Sequence, residues 1–349
     1  MNTTSLPVVA LTLGDPAGIG PELIARVLSR PDATRLANLV LIGDPWLWRA
    51  GQAAAGVEVA TAPLAALGEA RGRADTQLPA FVALDTIDAD AVTMGQAGAA
   101  GGRSVLQALE RCMDAALAGE VDAICFAPLN KYAMKQGGLR FEDELHHFAD
   151  YLGVQGYFCE FNTLGDLWTS RISSHVPLAE VTRHLTQPRI EQAAELIYRA
   201  LRANGVARPR IAIAALNPHG GDGGTCGREE IEIIGPAVAA LQARSWDSES
   251  PFQGPYPADT VFLKAQAGEV DAVVTMYHDQ GQIAIKLLGF SRGVTVQGGL
   301  PIPITTPAHG TAYDIAGQGR ANPEATWQAL RIAARMGAAH LAHHAAAQA

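Results

Sequence analysis

Short apolar runs alternate with segments of helical periodicity along most of this chain. Predominantly apolar runs of strand length cover residues 8–13, 39–42, 123–126, 211–216 and 272–276. Amphipathic stretches of helical length cover residues 21–29, 104–118, 189–203 and 229–243. Runs that are apolar at every position are typical of strands buried on both faces, which occur in parallel sheets covered by helices. The pattern therefore predicts an α/β protein whose mostly parallel sheet carries helices on both faces.

The length of the chain predicts two lobes. A chain of 349 residues exceeds the usual size of a single hydrophobic core. We place one lobe at residues 1–130 together with 300–349, and the other at residues 131–299. The Gly- and Ala-rich residues 95–102 predict a loop that leads into a helix, and the polar residues 245–254 predict an excursion between elements.

Composition and charge narrow the class of partner. The formal net charge of −9 argues against nucleic acid or an anionic membrane surface as a partner. The apolar run at residues 6–13 is cut short by Gly14 and Asp15, and no basic residue precedes Arg26, so we expect neither a signal peptide nor a membrane span. The four cysteines show no C-x-x-C spacing. We expect a cytoplasmic enzyme that acts on a small molecule and has free thiols.

Three histidines each follow a strand-like run and form a candidate metal site. His175, His219 and His278 come after residues 171–174, 211–218 and 272–277. The carboxyl ends of strands are where open α/β sheets bind ligands, and three imidazoles leave a coordination position open on a catalytic divalent ion. A lone histidine after a strand is more often a hydrogen-bonded loop residue. The sequence by itself does not show that the three converge.

The segment from Gly14 to Pro21 has two interpretations. It separates a predicted strand from a predicted helix, and Pro21 suits the first turn of that helix. Its glycine spacing matches neither the dinucleotide-binding motif nor the P-loop. A tight structural turn and a cofactor contact remain equally compatible with this segment.

Several motifs together resemble one enzyme family. They are Gly14-Asp15-Pro16-Ala17-Gly18-Ile19-Gly20-Pro21-Glu22, Pro128-Leu129-Asn130-Lys131, Asn217-Pro218-His219, Met276-Tyr277-His278-Asp279-Gln280-Gly281 and His309-Gly310-Thr311-Ala312 with Asp314-Ile315-Ala316-Gly317. In order and spacing they resemble the 4-hydroxythreonine-4-phosphate dehydrogenase family of vitamin B6 biosynthesis, from about residue 8 to the C-terminal helix. The resemblance implies a fold like that of isocitrate and isopropylmalate dehydrogenases.

The resemblance also implies a metal and a dimer. It implies that His175, His219 and His278 bind a divalent ion, with zinc favoured, at the interface of a homodimer whose active sites are shared. It places Asp259 close to that metal, although Asp259 would equally suit a helix N-cap. The lobe at residues 131–299 would then carry the metal, the substrate and the dimer contact.

The remaining lobe is expected to hold the nucleotide. The segment that contains His309, Gly310, Thr311, Ala312 and Asp314 is similar to the loop with which the fold relatives hold the adenosine of NAD. Glycine permits close backbone approach, and the Asp314 carboxylate is suited to accept a hydrogen bond from the nucleotide. A glycine-rich turn that caps a helix is the simpler alternative. The cofactor implied is NAD or NADP.

Four positions depart from the family at its substrate phosphate. The family uses a His-Thr pair, a Lys, an Asn and an Arg there, whereas this chain has Glu144, Leu145, Lys286, Thr295 and Ile304. A carboxylate repels a phosphate dianion, and isoleucine cannot replace a bidentate guanidinium. From these departures we predict an unphosphorylated substrate.

The predicted reaction is a metal-dependent, NAD(P)-linked oxidative decarboxylation. The branch of the family that oxidises the cis-dihydrodiol of terephthalate, an unphosphorylated dicarboxylate, to protocatechuate and carbon dioxide best matches the lost phosphate site. The predicted catalytic residues are Lys131, Asp259 and Lys286, and the sequence does not decide between the lysines as proton donor or carboxylate ligand. The predicted substrate contacts are Glu144, His146, His147, Lys286, Arg292 and Thr295.

Three alternatives remain open. The first is the 4-hydroxythreonine-4-phosphate dehydrogenase activity itself with rearranged recognition. The second is a phosphothreonate- or erythronate-type dehydrogenase. The third is a homologue without activity that binds a metal or a nucleotide, which retention of the three histidines, Asp259, Lys131 and the nucleotide segment disfavours.

Overall fold

The structure, a computed structural model, describes residues 6–246 and 249–348. In chain order its strands are β1 (Val8–Thr12), β2 (Asn38–Gly43), β3 (Ala62–Leu64), β4 (Ala80–Ala83), β5 (Ala123–Phe126), β6 (Cys159–Leu164), β7 (Leu167–Arg171), β8 (Ile211–Ala214), β9 (Phe252–Tyr256), β10 (Ala272–Thr275), β11 (Gly293–Gly298) and β12 (Ile304–Pro307). Its α-helices are α1 (Gly20–Leu28), α2 (Ala33–Leu36), α3 (Pro45–Ala55), α4 (Ala99–Leu117), α5 (Lys131–Gly137), α6 (Glu144–Tyr151), α7 (Val181–His184), α8 (Gln187–Ala203), α9 (Gly235–Gln242), α10 (Val261–Gln266), α11 (His278–Gly289) and α12 (Glu324–Gln348).

The chain forms two compact units. Unit 1 comprises residues 1–154, 294–296 and 300–349, and unit 2 comprises residues 155–293 and 297–299. Residues 131–154, which the sequence analysis placed in the second lobe, pack in unit 1 because α4 contacts α5 and α6. The functional assignment of the two lobes stays a prediction.

Unit 1 is built on a parallel sheet buried on both faces. Its strand order is β3-β4-β2-β1-β5-β12, and β1 pairs in parallel with both β2 and β5. Every residue of β1, β2 and β5 is buried, so neither face of these strands meets water. One set of alternating side chains, which includes Val8, Val40 and Ile124, packs against Leu109 and Met113 of α4. Helix α12 packs against β1, β5 and β12.

Unit 2 has the strand order β6-β7-β10-β8-β9. Strand β10 pairs in parallel with both β7 and β8, β8 pairs in parallel with β9, and β6 pairs antiparallel with β7. The tight turn between β6 and β7 contains Gly165 at φ 59°, a conformation that glycine adopts at little cost. The parallel strands β7, β10 and β8 therefore present their carboxyl ends side by side.

The predicted fold class, a mostly parallel α/β sheet with helices, is confirmed. The predominantly apolar runs became β1, β2, β5, β8 and β10. The strands that the apolar pattern did not reveal are short or carry polar residues, as β7 (Leu-Trp-Thr-Ser-Arg) does. The helix predicted at residues 229–243 begins as a π-helical turn at Glu230–Ile234 and continues as α9.

The length and composition of the helices bear on the expectation that the chain has no membrane span. In the stretches 6–246 and 249–348, none of the helices combines the length and the apolar character that crossing a bilayer requires.

Candidate functional site

The three predicted metal ligands follow three neighbouring parallel strands of unit 2. His175 comes four residues after the end of β7, His219 five residues after β8, and His278 three residues after β10. Because β10 lies between β7 and β8 in the sheet, the three segments leave the sheet at one edge. The sheet order thus places the three segments at one edge, which sequence separation could not show.

Two of the three imidazoles lie next to each other. The ring centroids of His175 and His278 are 5.9 Å apart, and both rings are accessible to solvent. His278 Nδ1 lies 2.7 Å from Asp279 Oδ1, a contact that orients the ring. The ring nitrogens of His175, His219 and His278 do not all lie within 4.8 Å of one another. The structure therefore brings two of the predicted ligands together and leaves His219 at the same sheet edge.

His219 lies in a turn whose backbone is strained. Its φ is 53° and that of Asp222 is 45°, a region that residues other than glycine adopt rarely. The buried Glu230 carboxylate holds the start of this turn: Oε1 accepts hydrogen bonds from the backbone N–H groups of Leu216 and Asn217, each at 2.8 Å. Oε2 accepts a bond from Asn217 Nδ2 at 2.9 Å. Such strain persists only where surrounding contacts fix it, and it is concentrated at functional sites.

A buried arginine supports the segment that carries His175. Arg171 donates to Glu160 Oε2 and Asn162 Oδ1, each at 2.8 Å, and to Ser174 Oγ at 2.9 Å. Because Ser174 immediately precedes His175, this network fixes the backbone from which the imidazole projects. Neither Arg171 nor Glu230 was predicted from the sequence, since no local pattern distinguishes a buried charged residue from a surface one.

Asp259 is exposed and does not cap a helix. The N-cap of α10 is Thr260, which makes no side-chain capping bond. The N-cap alternative for Asp259 is therefore wrong, because the helix begins one residue too late for its carboxylate. Asp259 follows β9, the neighbour of β8, and its role near a metal stays a prediction.

The other predicted substrate residues of unit 2 are exposed basic groups. Lys286 lies on α11 and Arg292 in the short turn that follows it, and both side chains are exposed. Thr295, which belongs to unit 1, is 9% exposed within β11. Their substrate roles stay predictions.

Lys131 and Glu144 form an ion pair in unit 1. Lys131 is the first residue of α5 and Glu144 the first residue of α6, and Lys131 Nζ lies 3.5 Å from Glu144 Oε2. The Lys131 side chain is 48% exposed, whereas that of Glu144 is 11% exposed. The positive charge of Lys131 offsets the negative charge of the carboxylate that the sequence analysis treated as isolated.

His146 and His147 occupy different environments on α6. His146 Nδ1 lies 2.7 Å from Asp143 Oδ1, and its Nε2 lies 3.2 Å from Glu142 Oε1. These three residues are the cluster, among residues 6–246 and 249–348, whose possible metal-ligating atoms lie within 4.8 Å of one another. The two ring nitrogens of His146 face different carboxylates, so the imidazole links Glu142 and Asp143 to the first turn of α6. His147 packs among aromatic rings, and burial lowers its pKa.

The predicted nucleotide residues form one loop of unit 1 after β12. Thr311 is buried, whereas Gly310 and Asp314 are exposed. Burial lowers the pKa of His309, whose Nδ1 lies 3.1 Å from the carbonyl oxygen of Gly310. Ala312 has φ 42° and ψ 57°, a left-handed conformation unusual for alanine. The loop therefore exposes a glycine and a carboxylate beside a strained residue.

Comparisons with known proteins agree with this geometry. Residues 35–333 match the family model described as "Pyridoxal phosphate biosynthetic protein PdxA". The chain is 54% identical over 339 residues to "Putative 4-hydroxythreonine-4-phosphate dehydrogenase 2" of Pseudomonas aeruginosa, covering 97% of this chain and 99% of that relative. A crystal structure of 4-hydroxythreonine-4-phosphate dehydrogenase from Klebsiella pneumoniae superposes with a TM-score of 0.81 at 35% identity, covering 95% of this chain and 98% of that one. The resemblance noted in the sequence is confirmed.

The predicted terephthalate dihydrodiol activity is wrong. A terephthalate 1,2-cis-dihydrodiol dehydrogenase from Burkholderia xenovorans is similar at 28% identity with a TM-score of 0.65, covering 94% of this chain and 98% of that one, well below the relatives named for a phosphorylated substrate. The Glu144 carboxylate, predicted from the sequence to repel a phosphate, is paired with Lys131. Leu145 and Ile304 are buried, so their apolar character reflects packing.

Proposed function

Because the chain belongs to the PdxA family of pyridoxal phosphate biosynthetic proteins, we propose that it is an NAD(P)-dependent dehydrogenase that oxidises a hydroxyl of a small phosphorylated hydroxy acid. The observation that carries this proposal is the 54% sequence identity, over 97% of this chain, to the relative from Pseudomonas aeruginosa. 4-Hydroxythreonine 4-phosphate is the first candidate substrate, and a phosphothreonate is the second. The strained turn at His219 and the clustered strand ends support an enzyme over an inactive homologue.

His175, His219 and His278 are the residues that would hold a divalent metal. They fit this role because they are imidazoles at one sheet edge and because the Asp279 carboxylate orients His278 in the way typical of metal-bound histidines. An all-imidazole donor set favours zinc. A bound ion would supply Lewis-acid polarisation of the hydroxyl that is oxidised.

Lys131 is the unit 1 group best suited to hold the substrate phosphate or carboxylate. Its ammonium is half exposed at the start of α5, while the Glu144 carboxylate fixes its position. Lys286 is the corresponding exposed cation of unit 2. For each lysine we propose one of two roles, binding the anion or moving the proton released from the substrate hydroxyl. Oxidation of a hydroxyl at the carbon β to a carboxylate would yield a β-keto acid, which loses carbon dioxide. Asp259 is a further candidate for accepting the proton of the hydroxyl.

The loop after β12 is the proposed nucleotide site. Exposed Gly310 lets a ligand approach the backbone, and exposed Asp314 offers a carboxylate to a ribose hydroxyl or adenine amine. His309 and Thr311 border these two residues in the chain. The geometry supports NAD and NADP equally.

A homodimer is proposed from an apolar surface on α11. Ile283 and Leu287, one turn apart, are 58% and 83% exposed, and Leu288 is also exposed. Exposed apolar side chains clustered on one helix are typical of a protein interface. Because His278 begins the same helix, a dimer contact here would lie beside the proposed metal site.

The test of the function is a comparison of phosphorylated and unphosphorylated substrates. We expect metal-loaded protein to form NADH or NADPH with 4-hydroxythreonine 4-phosphate or a phosphothreonate, and to turn over the unphosphorylated compounds at least about tenfold less efficiently. If metal-loaded protein oxidises none of the phosphorylated compounds, the proposal is contradicted.

A lysine pair on α5 supplies the matched control. Lys131→Met is expected to raise KM for the phosphorylated substrate about tenfold or more, because a charge-assisted bond is lost. Lys135→Met removes an exposed lysine of the same helix and should leave KM unchanged. Equal effects of the two substitutions would exclude Lys131 as the anion ligand.

A further inference from the structure

The segment at residues 14–22, called here the opening segment, packs against the proposed nucleotide loop at residues 309–317. Both lie in unit 1. The backbone N–H of Ile19 donates to the carbonyl oxygen of Thr311 at 3.1 Å. A Cβ added at Gly18 would lie 2.9 Å from Thr311 Cβ, so only glycine permits this approach. Ile19 and Leu23 form an apolar cluster with Ala316, and the residues on both sides of the contact are buried.

The segment that directly follows the nucleotide loop is held by residues of α1. The buried Glu22 carboxylate accepts hydrogen bonds from the N–H groups of Gly319, at 3.2 Å, and Ala321, at 2.9 Å. Arg26 pairs with Glu22 at 3.3 Å and donates to the Gly319 carbonyl oxygen at 2.6 Å. The opening segment and α1 therefore clamp the loop on both sides.

One side-chain hydrogen bond lies at the centre of this clamp. The Tyr313 hydroxyl donates to Asp15 Oδ2 at 2.7 Å, and Asp15 Oδ1 accepts from the N–H of Ala17 at 2.8 Å. Asp15 is 2% exposed. Burial raises the pKa of this carboxyl, while the bonds from Tyr313 and Ala17 lower it. A buried carboxylate depends on such donors, so removing the hydroxyl leaves it poorly solvated.

Tyr313 adjoins the strained residue of the loop. Ala312 is held at φ 42° and ψ 57°, a conformation that costs of order 1–3 kcal/mol and requires support from its surroundings. The carbonyl oxygen of Tyr313 also lies 2.9 Å from where a Cβ on Gly95 would be, and Gly95 donates its N–H to the Ala17 carbonyl oxygen at 2.8 Å. Contacts to the opening segment and to Gly95 therefore fix both the side chain and the backbone of Tyr313.

We propose that Asp15 and Tyr313 are positioning residues that hold the nucleotide loop in the conformation that binds NAD(P), so that the opening segment acts on the cofactor through this bond without contacting it. The inference rests on the proposed function, since it requires that the loop bind a dinucleotide. It assigns the opening segment, for which the sequence left a tight turn and a cofactor contact equally open, to loop positioning.

The test measures cofactor affinity separately from turnover. Dissociation constants of the full-length protein for NAD+ and NADP+ are measured by calorimetry, alongside kcat at saturating cofactor and the unfolding temperature. We expect Tyr313→Phe to weaken binding of the preferred nucleotide about tenfold or more, because a bond to a buried charged group is lost. We expect kcat at saturation to stay within about twofold of the parent.

Two further variants make the test specific. Asp15→Asn retains an oxygen for Ala17 and offers an amide donor to the Tyr313 hydroxyl, so we expect affinity within about threefold of the parent, whereas Asp15→Ala should resemble Tyr313→Phe. Tyr151→Phe removes the same kind of bond, from a tyrosine hydroxyl to Asp114 Oδ1 at 2.7 Å, away from the loop. It should bind nucleotide as the parent does.

The outcomes separate the two proposals. Absence of NAD+ and NADP+ binding by the parent would overturn the proposed function and this inference with it. Binding by the parent together with equal binding by Tyr313→Phe would overturn only the inference. Unfolding of Tyr313→Phe at the assay temperature, or an equal loss of affinity in Tyr151→Phe, would also overturn it, because the bond would then serve the fold in general.

Discussion

His147 shows how burial alters the chemistry of one side chain. Its ring packs at centroid distances of 6.0 Å from Phe141 and Tyr151, and 12% of the side chain is exposed. Burial is the main cause of its lowered pKa; Asp150 acts in the opposite direction and Arg140 in the same one. The substrate contact predicted for His147 from the sequence stays a prediction. At the residue scale its environment already predicts a pH effect.

The folded state binds a proton at His147 less readily than the unfolded state does. The pKa of His147 in the folded state lies below the unfolded value of about 6.5. The contribution of the neutral His147 to the free energy of unfolding is therefore fully present above pH 6.5 and is lost as the pH falls from 6.5 through the folded pKa. His147→Phe keeps an aromatic ring but cannot be protonated. When the pH is lowered from 7.5 to 5.5, we expect the free energy of unfolding of this variant to fall by less than that of the parent. Urea denaturation at both pH values measures this.

An exposed histidine is the control for this effect. His343→Phe changes a ring on the solvent-exposed part of α12, so its pH dependence should follow that of the parent. Identical pH dependence of the parent and His147→Phe would show that protonation of His147 does not oppose folding.

At the scale of elements, the ends of strands β7, β10 and β8 determine where the candidate metal ligands lie. Parallel pairing places the three carboxyl ends at one edge, and the loops then set the final position of each imidazole. The loop after β8 differs from the other two, because its strained turn is held by Glu230 from the adjoining π-helical turn. Its ligand geometry therefore depends on a second element.

Glu230→Ala is expected to release the turn that carries His219. The backbone donors of Leu216 and Asn217 would lose their acceptor, at a cost of about 1–3 kcal/mol in unfolding free energy. We also expect affinity for a divalent metal, measured by competition with a chelator, to fall about tenfold or more, and further in His219→Ala.

Glu232 offers a matched control within the same π-helical turn. It is exposed and pairs with Arg228 at 2.5 Å, so Glu232→Ala should change neither stability nor metal affinity appreciably. Metal affinity in Glu230→Ala equal to that of the parent would remove Glu230 from the support of the site.

For the molecule as a whole, the exposed apolar side chains of α11 form the surface for which we propose a partner. Ile283, Leu287 and Leu288 lie on the helix that carries His278 and Lys286. Burying such side chains favours association by roughly 1.5–3 kcal/mol each. A second copy of the chain is the partner that we propose for this surface.

Leu287→Glu is expected to weaken the homodimer at least about tenfold, because a charge would be buried without a partner. Sedimentation velocity over a range of concentrations measures the dissociation constant. Leu178→Glu is the control, since Leu178 is 70% exposed and lies outside α11. A parent that sediments as an active monomer, or a Leu287→Glu variant that dimerises like the parent, would contradict the proposed interface.

The sequence by itself determined the main strands, the α/β class and the family. Strands β1, β5 and β10 are apolar at nearly every position because both of their faces are buried. Their amino-acid composition is therefore enough to predict them. The motifs around His219 and His278 likewise carried the family, since they are local and contiguous. The order of strands was not visible, because pairing of β10 between β7 and β8 depends on contacts among residues far apart in the chain.

Only the tertiary structure decided which charges and polar groups are paired. Glu144 considered alone predicted repulsion of phosphate, whereas the structure places Lys131, thirteen positions earlier, beside it, where its positive charge offsets that of the carboxylate. Asp15 and Tyr313 are separated by 298 positions, so no sequence window contains both. The energy of a buried charge depends on its nearest partners, and these partners are chosen by the packing of elements that are distant in sequence.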